Sequence, residues 1–200
     1  MLGYLRWSFY LRSALFWLFA GGRFRRFGKR ARIVSPLGIE RADRILIGDD
    51  VFVAPMGYLA VKPDDESGVG HLEIGAGSKL GRFNHIYATR RVTLGAKVLT
   101  ANGVYISDNL HRYDDPAVAI MDQPLKQLGE VTIGEGSWIG HNACIVGASL
   151  GRNCVVGANA VVTRSAPDHC VLVGAPARIV RRYDPDRGEW RSTLPDGTFA

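Results

Sequence analysis

The sequence predicts an all-β protein built as a parallel β-helix, a coil with three short flat sides. Two observations predict this fold. An aliphatic residue recurs at nearly every sixth position over residues 133–162, and a glycine follows that residue wherever the pattern restarts. The period is too long for one face of a helix and too sparse for an alternating strand, whereas it is typical of a repeat whose sides each point one branched side chain at a shared axis.

The aliphatic ladder is the predicted core, because stacked coils bury one another's inward side chains and no repeat is stable alone. The predicted inward residues are Ile47, Val53, Leu59, Ile74, Leu80, Ile86, Ile106, Ile133, Ile139, Ile145, Leu150, Val156 and Val162. Asp49-Asp50, Asn102-Gly103 and Asn153 are predicted corners, since these residue types tolerate left-handed backbone. Gly75 and its equivalents are expected where a side chain would crowd the next turn.

Three regions are predicted along the 200 residues: a basic amphipathic segment over 1–30, the repeat domain over 31–183 and a tail over 184–200. A content of 46% hydrophobic residues suffices for one core. The tail has no period and is rich in turn formers, so we expect it to be mobile or to pack loosely on a neighbour.

Residues 1–30 combine Leu, Phe and Trp with Arg6 and Arg12 inside the apolar run. That run is too short and too interrupted to span a membrane, and the same arginines weaken a signal-peptide interpretation. We expect an amphipathic helix with basic flanks. Two roles remain open for it, namely lying in a membrane interface or capping the open end of the coil.

Two segments interrupt the repeat. Residues 62–70 are polar and glycine-rich and are predicted to form a surface loop. A second excursion over 112–130 breaks the pattern before it resumes at Val131. Loops that leave a rigid repeat commonly carry binding residues, so this excursion is the first place to look for a site.

The net charge of +6 is concentrated at the N-terminus and after the repeats. Clustered cations suggest a phosphate-bearing partner, either a membrane surface or a nucleotide-like cofactor. Nucleic acid is disfavoured, because no recognition helix or zinc pattern accompanies the charge. Cys144, Cys154 and Cys170 lack paired zinc spacing and are interpreted as buried reduced thiols of a cytosolic protein.

Histidine is the natural group for moving a proton near neutral pH, and His111 has the most informative position of the five. It ends a hexad where the coil gives way to the excursion. Asp108, Asp114 and Asp115 are its candidate partners, because a carboxylate on the second ring nitrogen would fix the tautomer and stabilise the imidazolium.

The coil pattern, the His-x-Tyr-x-Asp-Pro stretch beginning at His111 and the later segments VTIGEGSWIGHNACIV, VVGANAVVTRSAPD and VGAPARIVRR occur in this order. Together they resemble the hexapeptide-repeat acetyltransferases, in particular the galactoside and maltose O-acetyltransferases and the bacterial exopolysaccharide acetyltransferases. The resemblance covers about residues 72–183. It implies a left-handed β-helix assembled as a homotrimer, with acetyl-CoA in the groove between subunits and no required metal.

The resemblance also implies site residues. His111 is expected to be the general base, with Asp108 or Asp114 beside it. The expected acetyl-CoA contacts are His141, Ala158, Thr163, Arg164, Arg178 and Arg181. Small residues would let the pantetheine arm lie against backbone, while arginines pair with phosphate oxygens. The expected contacts to the acceptor are Asn84, His85 and Trp138.

The implied reaction is direct transfer of acetyl to a hydroxyl of a saccharide, in a cell-surface polysaccharide precursor or a lipid-linked sugar. His111 would remove the hydroxyl proton, and a backbone N–H near position 141 would stabilise the oxyanion. The expected location is cytoplasmic, with peripheral contact at the inner membrane face through residues 1–30. Two alternatives are a non-catalytic trimeric scaffold and a γ-carbonic-anhydrase-like zinc enzyme, although the His-x-x-x-x-His pair of the latter is missing from this sequence.

Overall fold

A computed structural model describes residues 2–62, 70–194 and 196–200 of the chain. Helix α1 covers Leu2–Ala20, and 3₁₀ turns cover Gly21–Arg23, Ala42–Arg44 and Ile120–Asp122. The surface loop predicted at 62–70 lies almost entirely outside the described residues. In chain order the strands are β1 Arg26–Phe27, β2 Arg32–Ile33, β3 Gly38–Glu40, β4 Ile45–Ile47, β5 Phe52–Val53, β6 Tyr58–Val61, β7 His71–Ile74, β8 Lys79–Leu80, β9 His85–Ala88, β10 Arg91–Leu94, β11 Leu99–Thr100, β12 Tyr105–Ser107, β13 Asn109–His111, β14 Leu125–Gln127, β15 Val131–Ile133, β16 Trp138–Ile139, β17 Cys144–Val146, β18 Val155–Val156, β19 Val161–Val162, β20 Cys170–Gly174, β21 Ala177–Asp184 and β22 Glu189–Ser192.

Successive strands fall in rotation on three sheets, which form the three sides of the coil. Sheet A has the order β1-β4-β7-β10-β15, sheet B begins β2-β5-β8-β11-β16-β18-β20, and sheet C has the order β3-β6-β9-β12-β17-β19 in space. All of these neighbours pair in parallel, for example with Ile47 against Ile74 in sheet A. The predicted three-sided parallel β-helix is therefore confirmed.

The core is the predicted aliphatic ladder. Each of the thirteen residues named above is at most 2% exposed, and they belong to one continuous cluster. In-register strands place these side chains directly above one another, as with Leu59 and Ile86 in sheet C. Burial of such a ladder is the main favourable contribution to folding, and it is shared between neighbouring coils.

The corners use the backbone conformations that the sequence predicts. Asp50 and Asn153 have φ of 58° and 50°, and Gly103 has φ of 71°. Gly75 has a different role, because a Cβ there would lie 2.4 Å from the carbonyl carbon of Gly95 in the next coil. The coils therefore approach too closely at that position for any side chain.

Two of the three corners organise the site. The BC corner, where the chain turns from sheet B to sheet C, comprises 54–57, 81–84, 101–104, 140–143 and 157–160. The CA corner, where it turns from sheet C to sheet A, includes 89–90, 108–130 (which contains the excursion), 147–149 and 163–165. The two corners lie at opposite edges of sheet C.

Helix α1 sits at the first coil, with its Phe16 ring 6.1 Å from that of Phe24 in the core. Its apolar and polar residues are not separated onto two faces as an amphipathic helix requires. Ser13 is buried, whereas Trp7 and Phe19 are 78% and 74% exposed. The helix thus caps the coil through one side and presents aromatic side chains to the outside. No described helix is long and apolar enough to cross a membrane.

The segment after residue 183 is more ordered than its composition suggests. Strand β21 folds back antiparallel on β20, and β22 pairs with β21, so that sheet B gains two strands beyond the last coil. Asp184 receives a 2.8 Å hydrogen bond from Arg191, and Tyr183 stacks edge-on with Trp190. The expectation of a mobile or loosely packed tail is corrected, because antiparallel pairing satisfies its backbone.

Candidate functional site

The excursion begins as a short hairpin that carries His111. Strands β13 and β14 pair antiparallel, with His111 opposite Leu125. The Arg112 amide donates to the Pro124 carbonyl at 3.2 Å, and this bond continues the ladder by one step. The His111 side chain is exposed at the far end of β13. The structure therefore presents this imidazole on a hydrogen-bonded strand at the CA corner.

Asp108 does not orient His111 in this structure. Its side chain is fully buried, and its Oδ1 accepts from the Thr89 amide and hydroxyl and from Asn109 Nδ2. Its Oδ2 accepts from the amides of Arg90 and Arg91 at 2.7 and 2.8 Å. The predicted role beside the imidazole is corrected, because five donors already occupy this carboxylate and it faces the corner.

The same network fixes the base of the hairpin. Gln127, at the end of β14, donates through Nε2 to the Thr89 hydroxyl. The amide of Leu128 donates to the Asp108 carbonyl at 2.9 Å. Both strands of the hairpin are therefore attached to the corner at residues 89–90, and His111 lies three residues beyond that attachment.

An open cavity of about 560 Å³ lies beyond His111 within the excursion. Its lining is Arg112, Asp114, Asp115, Pro116, Val118, Asp122, Gln123 and Pro124. The Gln123 amide group holds the loop together by donating to the carbonyls of Asp115 and Val118 at 2.9 Å each. Within the described chain neither Asp108 nor Asp114 is hydrogen-bonded to His111. Asp114 lines the cavity together with Arg112, the residue after His111.

His141 and Ala158 occupy equivalent places in successive coils at the BC corner. The Asn159 amide donates to the His141 carbonyl at 2.8 Å, and the Gly140 amide donates to the Val156 carbonyl at 2.8 Å. Both side chains are exposed. Among the described residues no acceptor is found for the amides of His141 and Ala158, so this corner offers two stacked N–H donors.

The remaining predicted cofactor contacts lie in different parts of the structure. Arg178 pairs with Val173 at the end of sheet B that leads to the BC corner, and therefore lies on the same side as Ala158. Arg181 lies further along β21, opposite Val171. Thr163 and Arg164 lie at the CA corner, two coils beyond the hairpin. One protomer therefore does not gather these residues into a single cluster.

Asn84 is structural rather than available to a ligand. It is 1% exposed, its Nδ2 donates to the Thr100 hydroxyl, and its Oδ1 accepts from the Val104 amide at 2.8 Å. The predicted acceptor contact is corrected, because the asparagine points inward and satisfies buried polar groups at the BC corner.

Trp138 lies on the outer face of sheet B, between Leu99 and Val155 of adjacent coils. It is 48% exposed and Leu99 is 47% exposed. This places it on a different side of the coil from the hairpin that carries His111. His85 lies on the outer face of sheet C with its ring 4.5 Å from Tyr58 and 5.3 Å from Tyr105. Burial by these neighbours lowers the pKa of His85, partly offset by Glu40.

The sequence reasoning missed Thr89, Gln127 and the tyrosines around His85. Thr89 directly follows a strand of sheet C, one coil before the excursion, and the hexad spacing could have identified it as the neighbour of Asp108. Gln127 had no such signal, because nothing in the sequence fixes where the excursion folds back. Across residues 2–62, 70–194 and 196–200, no three His, Cys, Asp or Glu side chains converge as a metal site requires.

Comparison with known proteins supports the fold class. A family model described as "Hexapeptide repeat of succinyl-transferase" matches residues 130–164. AntD, an N-acyltransferase from Bacillus cereus solved with dTDP and 3-hydroxybutyryl-CoA, superposes with a TM-score of 0.69 at 18% identity, covering 84% of this chain and 87% of that one. A maltose O-acetyltransferase from Clostridium difficile gives a TM-score of 0.51 at 22% identity, covering 82% and 72%. The fold is the left-handed β-helix of the hexapeptide-repeat transferases.

Two sequence relatives define the family. A Mycobacterium tuberculosis protein named as an acetyltransferase is 40% identical over 113 residues, which are 56% of this chain and only 37% of that protein. Escherichia coli WbbJ, named for O-acetyl transfer in lipopolysaccharide biosynthesis, is 31% identical over 133 residues, covering 63% of this chain and 68% of WbbJ. The chain belongs to the hexapeptide-repeat acetyltransferase family.

Proposed function

We propose that this protein is an acetyl-CoA-dependent O-acetyltransferase acting as a homotrimer on a hydroxyl of a saccharide, in a polysaccharide or lipid-linked precursor. The single observation that carries the proposal is the position of His111 on a fixed hairpin at the edge of sheet C. The similarity to WbbJ, which is named for lipopolysaccharide O-acetyl transfer, supports a saccharide acceptor.

The separation of the candidate residues supports a site shared between protomers. His111 is at the CA corner, and His141, Ala158 and Arg178 are at the BC corner. Sheet C separates them by three or four residues, or roughly 10–13 Å. A base and a thioester at those corners meet only if the corner of one protomer lies against the hairpin of the next. The exposed Leu99 and Trp138 on sheet B offer apolar surface for such packing.

In the proposed reaction the acetyl thioester lies along the BC corner of one protomer. The amides of His141 and Ala158 are its candidate hydrogen-bond donors, one of them for the carbonyl oxygen that becomes the oxyanion. His111 of the adjacent protomer takes the proton from the acceptor hydroxyl as its oxygen attacks the carbonyl carbon. The C–S bond then breaks, and the CoA thiolate receives the proton. Arg178 and Arg181 pair with cofactor phosphates.

Substitution of His111 tests the base. His111→Ala is expected to lower acetyl transfer by about 10²–10⁴-fold while the trimer remains intact. His71→Ala is the matched control, because His71 lies on β7 of sheet A, opposite Arg91 and outside the hairpin, and should change transfer little. Transfer is measured by release of CoA thiol with a panel of free, nucleotide-linked and lipid-linked sugars. Unchanged transfer in His111→Ala contradicts the proposal.

Mixed trimers test the shared site. His111→Ala and Ala158→Trp should each be inactive, whereas trimers assembled from an equal mixture should recover about a quarter of wild-type activity. A site between two protomers is intact only when one protomer supplies His111 and its neighbour supplies Ala158, and each of these has a probability of one half. Absence of recovery in verified mixed trimers contradicts a site between protomers.

The proposal extends to contact with an anionic membrane on the cytoplasmic side, through α1. One side of α1 packs on the coil, and the other presents Trp7, Leu11, Trp17, Leu18 and Phe19. Arg12, Arg23 and Arg25 are exposed beside them. Aromatic side chains next to cations suit the interface of a bilayer that contains anionic lipid, where each cation contributes about 1 kcal/mol.

Vesicle sedimentation tests this contact. The protein should bind phosphatidylglycerol-containing vesicles more tightly than pure phosphatidylcholine vesicles, and salt should weaken the binding. Trp17→Ser combined with Phe19→Ser should abolish binding, while Leu194→Ser, an exposed apolar residue in the C-terminal segment, should leave it unchanged. Equal binding of all three proteins contradicts the role of α1.

A further inference from the structure

The outer face of sheet C carries a line of aromatic rings that the fold does not need for its core. Tyr58, His85 and Tyr105 are in register on three successive coils, and together we call them the aromatic column. Their rings lie 4.5 and 5.3 Å apart, tilted by 51° and 60°. The residues that follow them point inward and are fully buried, as with Ile86 and Ile106. The column is therefore an outer surface of the coil.

Polar groups border the column. Glu40 accepts a hydrogen bond from the Tyr58 hydroxyl, and this bond raises the pKa of Tyr58 to about 12. Tyr87 lies beside His85 on the same strand, 6.3 Å away between ring centroids. Burial lowers the pKa of His85, so its neutral ring has one nitrogen to donate and one to accept. The surface thus combines apolar ring area with donors and acceptors.

Tyr87, in the polar border of the column, leads across sheet C toward the hairpin that carries His111. Tyr87 is in register with Ser107, the last residue of β12 before Asp108 and the hairpin. At the other end, Glu40 lies on β3 in the first coil, the coil that α1 caps. The three residues of the column lie on adjacent strands about 4.8 Å apart, so the column extends roughly 10 Å along the coil axis.

We propose that the aromatic column and its polar border bind an extended saccharide acceptor, with more than one sugar ring lying along sheet C and its terminal hydroxyl at His111. Sugar rings have apolar C–H faces that pack on aromatic rings and hydroxyls that bond to groups such as Glu40 and Tyr87. This inference rests on the proposed function. If α1 contacts the membrane, the lipid-linked end of the saccharide lies toward Glu40.

The composition of the two outer faces favours a saccharide here over a second protomer. Sheet B exposes Leu99 and Trp138 side by side next to Lys79, and this apolar pair suits protein packing. Sheet C instead exposes a carboxylate, an imidazole and phenol groups, and buried charged groups are depleted at the centre of protein interfaces. If sheet B lies at the boundary between protomers, the column on sheet C remains open to a ligand.

Binding of saccharides of different length tests the column. Fluorescently labelled oligomers of β-1,4-linked glucose, α-1,4-linked glucose and β-1,4-linked N-acetylglucosamine, from one ring upward, are titrated with the wild-type trimer. Affinity for at least one series should rise with the number of rings and then level off. Tyr58→Ala and Tyr105→Ala should each weaken the longer oligomers by about tenfold, the effect of losing one aromatic contact of about 1.4 kcal/mol.

The controls separate this inference from the proposed function. Thr93→Ala, an outer-face residue of sheet A, should not change oligomer binding, and none of the variants should change the KM for acetyl-CoA. Binding that is independent of length, binding of no oligomer, or loss of the trimer in Tyr58→Ala would overturn the inference, the last because the column would then be an interface. If His111→Ala loses transfer but the wild-type protein binds oligomers of all lengths equally, the column alone is refuted. If the wild-type protein binds longer oligomers more tightly but transfers no acetyl group, only the proposed reaction is refuted.

Discussion

Thr89 and Asp108 are joined by two hydrogen bonds, because Oδ1 of Asp108 accepts from both the amide and the hydroxyl of Thr89 at 2.8 Å each. The Thr89 hydroxyl in turn accepts from Gln127 at the far strand of the hairpin. One carboxylate thus connects two coils and the base of the excursion. The position of His111 depends on this connection, although neither residue touches the imidazole.

Asp108→Asn should destabilise the protein and lower turnover together. The amide would put N–H donors opposite the amides of Arg90 and Arg91, so we expect a loss of about 2–4 kcal/mol in the free energy of unfolding. The kcat should fall while the KM for acetyl-CoA is unchanged, because the hairpin and not the cofactor surface is displaced. Urea unfolding and steady-state kinetics measure these effects.

The matched control is Asp43→Asn. Asp43 is an exposed carboxylate paired with Arg41 at 3.0 Å, and because solvent screens this pair, its loss should destabilise the protein much less than the loss of the Asp108 carboxylate. Equal destabilisation by the two substitutions would show that the buried network at Thr89 has no special importance.

Gly75→Ala should destabilise the coil stack. A Cβ there would lie 2.4 Å from the Gly95 carbonyl carbon and 2.5 Å from the Ala96 amide nitrogen, both of them backbone atoms. The coils must separate to accommodate it, at a cost of about 1–3 kcal/mol or more. Gly22→Ala is the comparison, since no atom lies within 4 Å of a Cβ at that position. Thermal unfolding of both variants measures the difference, and equal unfolding midpoints would refute the close approach of the coils.

Arg178→Ala and Arg181→Ala should each raise the KM for acetyl-CoA more than the KM for the acceptor. Removal of one charge-assisted phosphate contact corresponds to about tenfold. The effect should be larger for Arg178, because it lies at the BC corner with Ala158. Arg187→Ala, an exposed arginine between β21 and β22, serves as the control in the same kinetic measurement. Equal changes in both KM values would exclude a cofactor-phosphate role.

The pairing of Asp184 with Arg191 should make the C-terminal strands acid-sensitive. The hydrogen bond from Arg191, with those from the amides of Arg187 and Asp186, lowers the pKa of Asp184. The folded state therefore binds fewer protons than the unfolded state, so this stabilisation is complete above the ordinary carboxyl pKa of about 3.9 and is lost as the pH falls through the lower folded value.

Comparison of wild type with Asp184→Asn across pH measures this contribution. The difference in thermal midpoint should be constant from about pH 5 to 8 and should shrink below about pH 4. A difference that persists unchanged in acid would mean that the carboxylate charge does not contribute.

The core and the corners were predictable from sequence because both depend on local, periodic features. Inward residues such as Ile133 recur at six-residue intervals, and corner residues such as Asn153 have intrinsic conformational preferences. His111 was identified because it ends a hexad and begins a recognisable motif. Asp108, one of its three candidate partners, does not contact it, because proximity in sequence does not reveal that this carboxylate turns back to Thr89 in the previous coil.

What the sequence alone determined is the repeating unit: the side of the coil, the inward ladder, the corners and the presence of an interruption. What only the tertiary structure decided is which non-local groups meet, such as Gln127 with Thr89, the column of Tyr58, His85 and Tyr105, and the burial of Asn84. The physical reason is that stacking of the coils brings together residues about 20 or more positions apart in sequence. An interruption of variable length changes which residues of successive coils are paired, and local residue preferences do not predict that pairing.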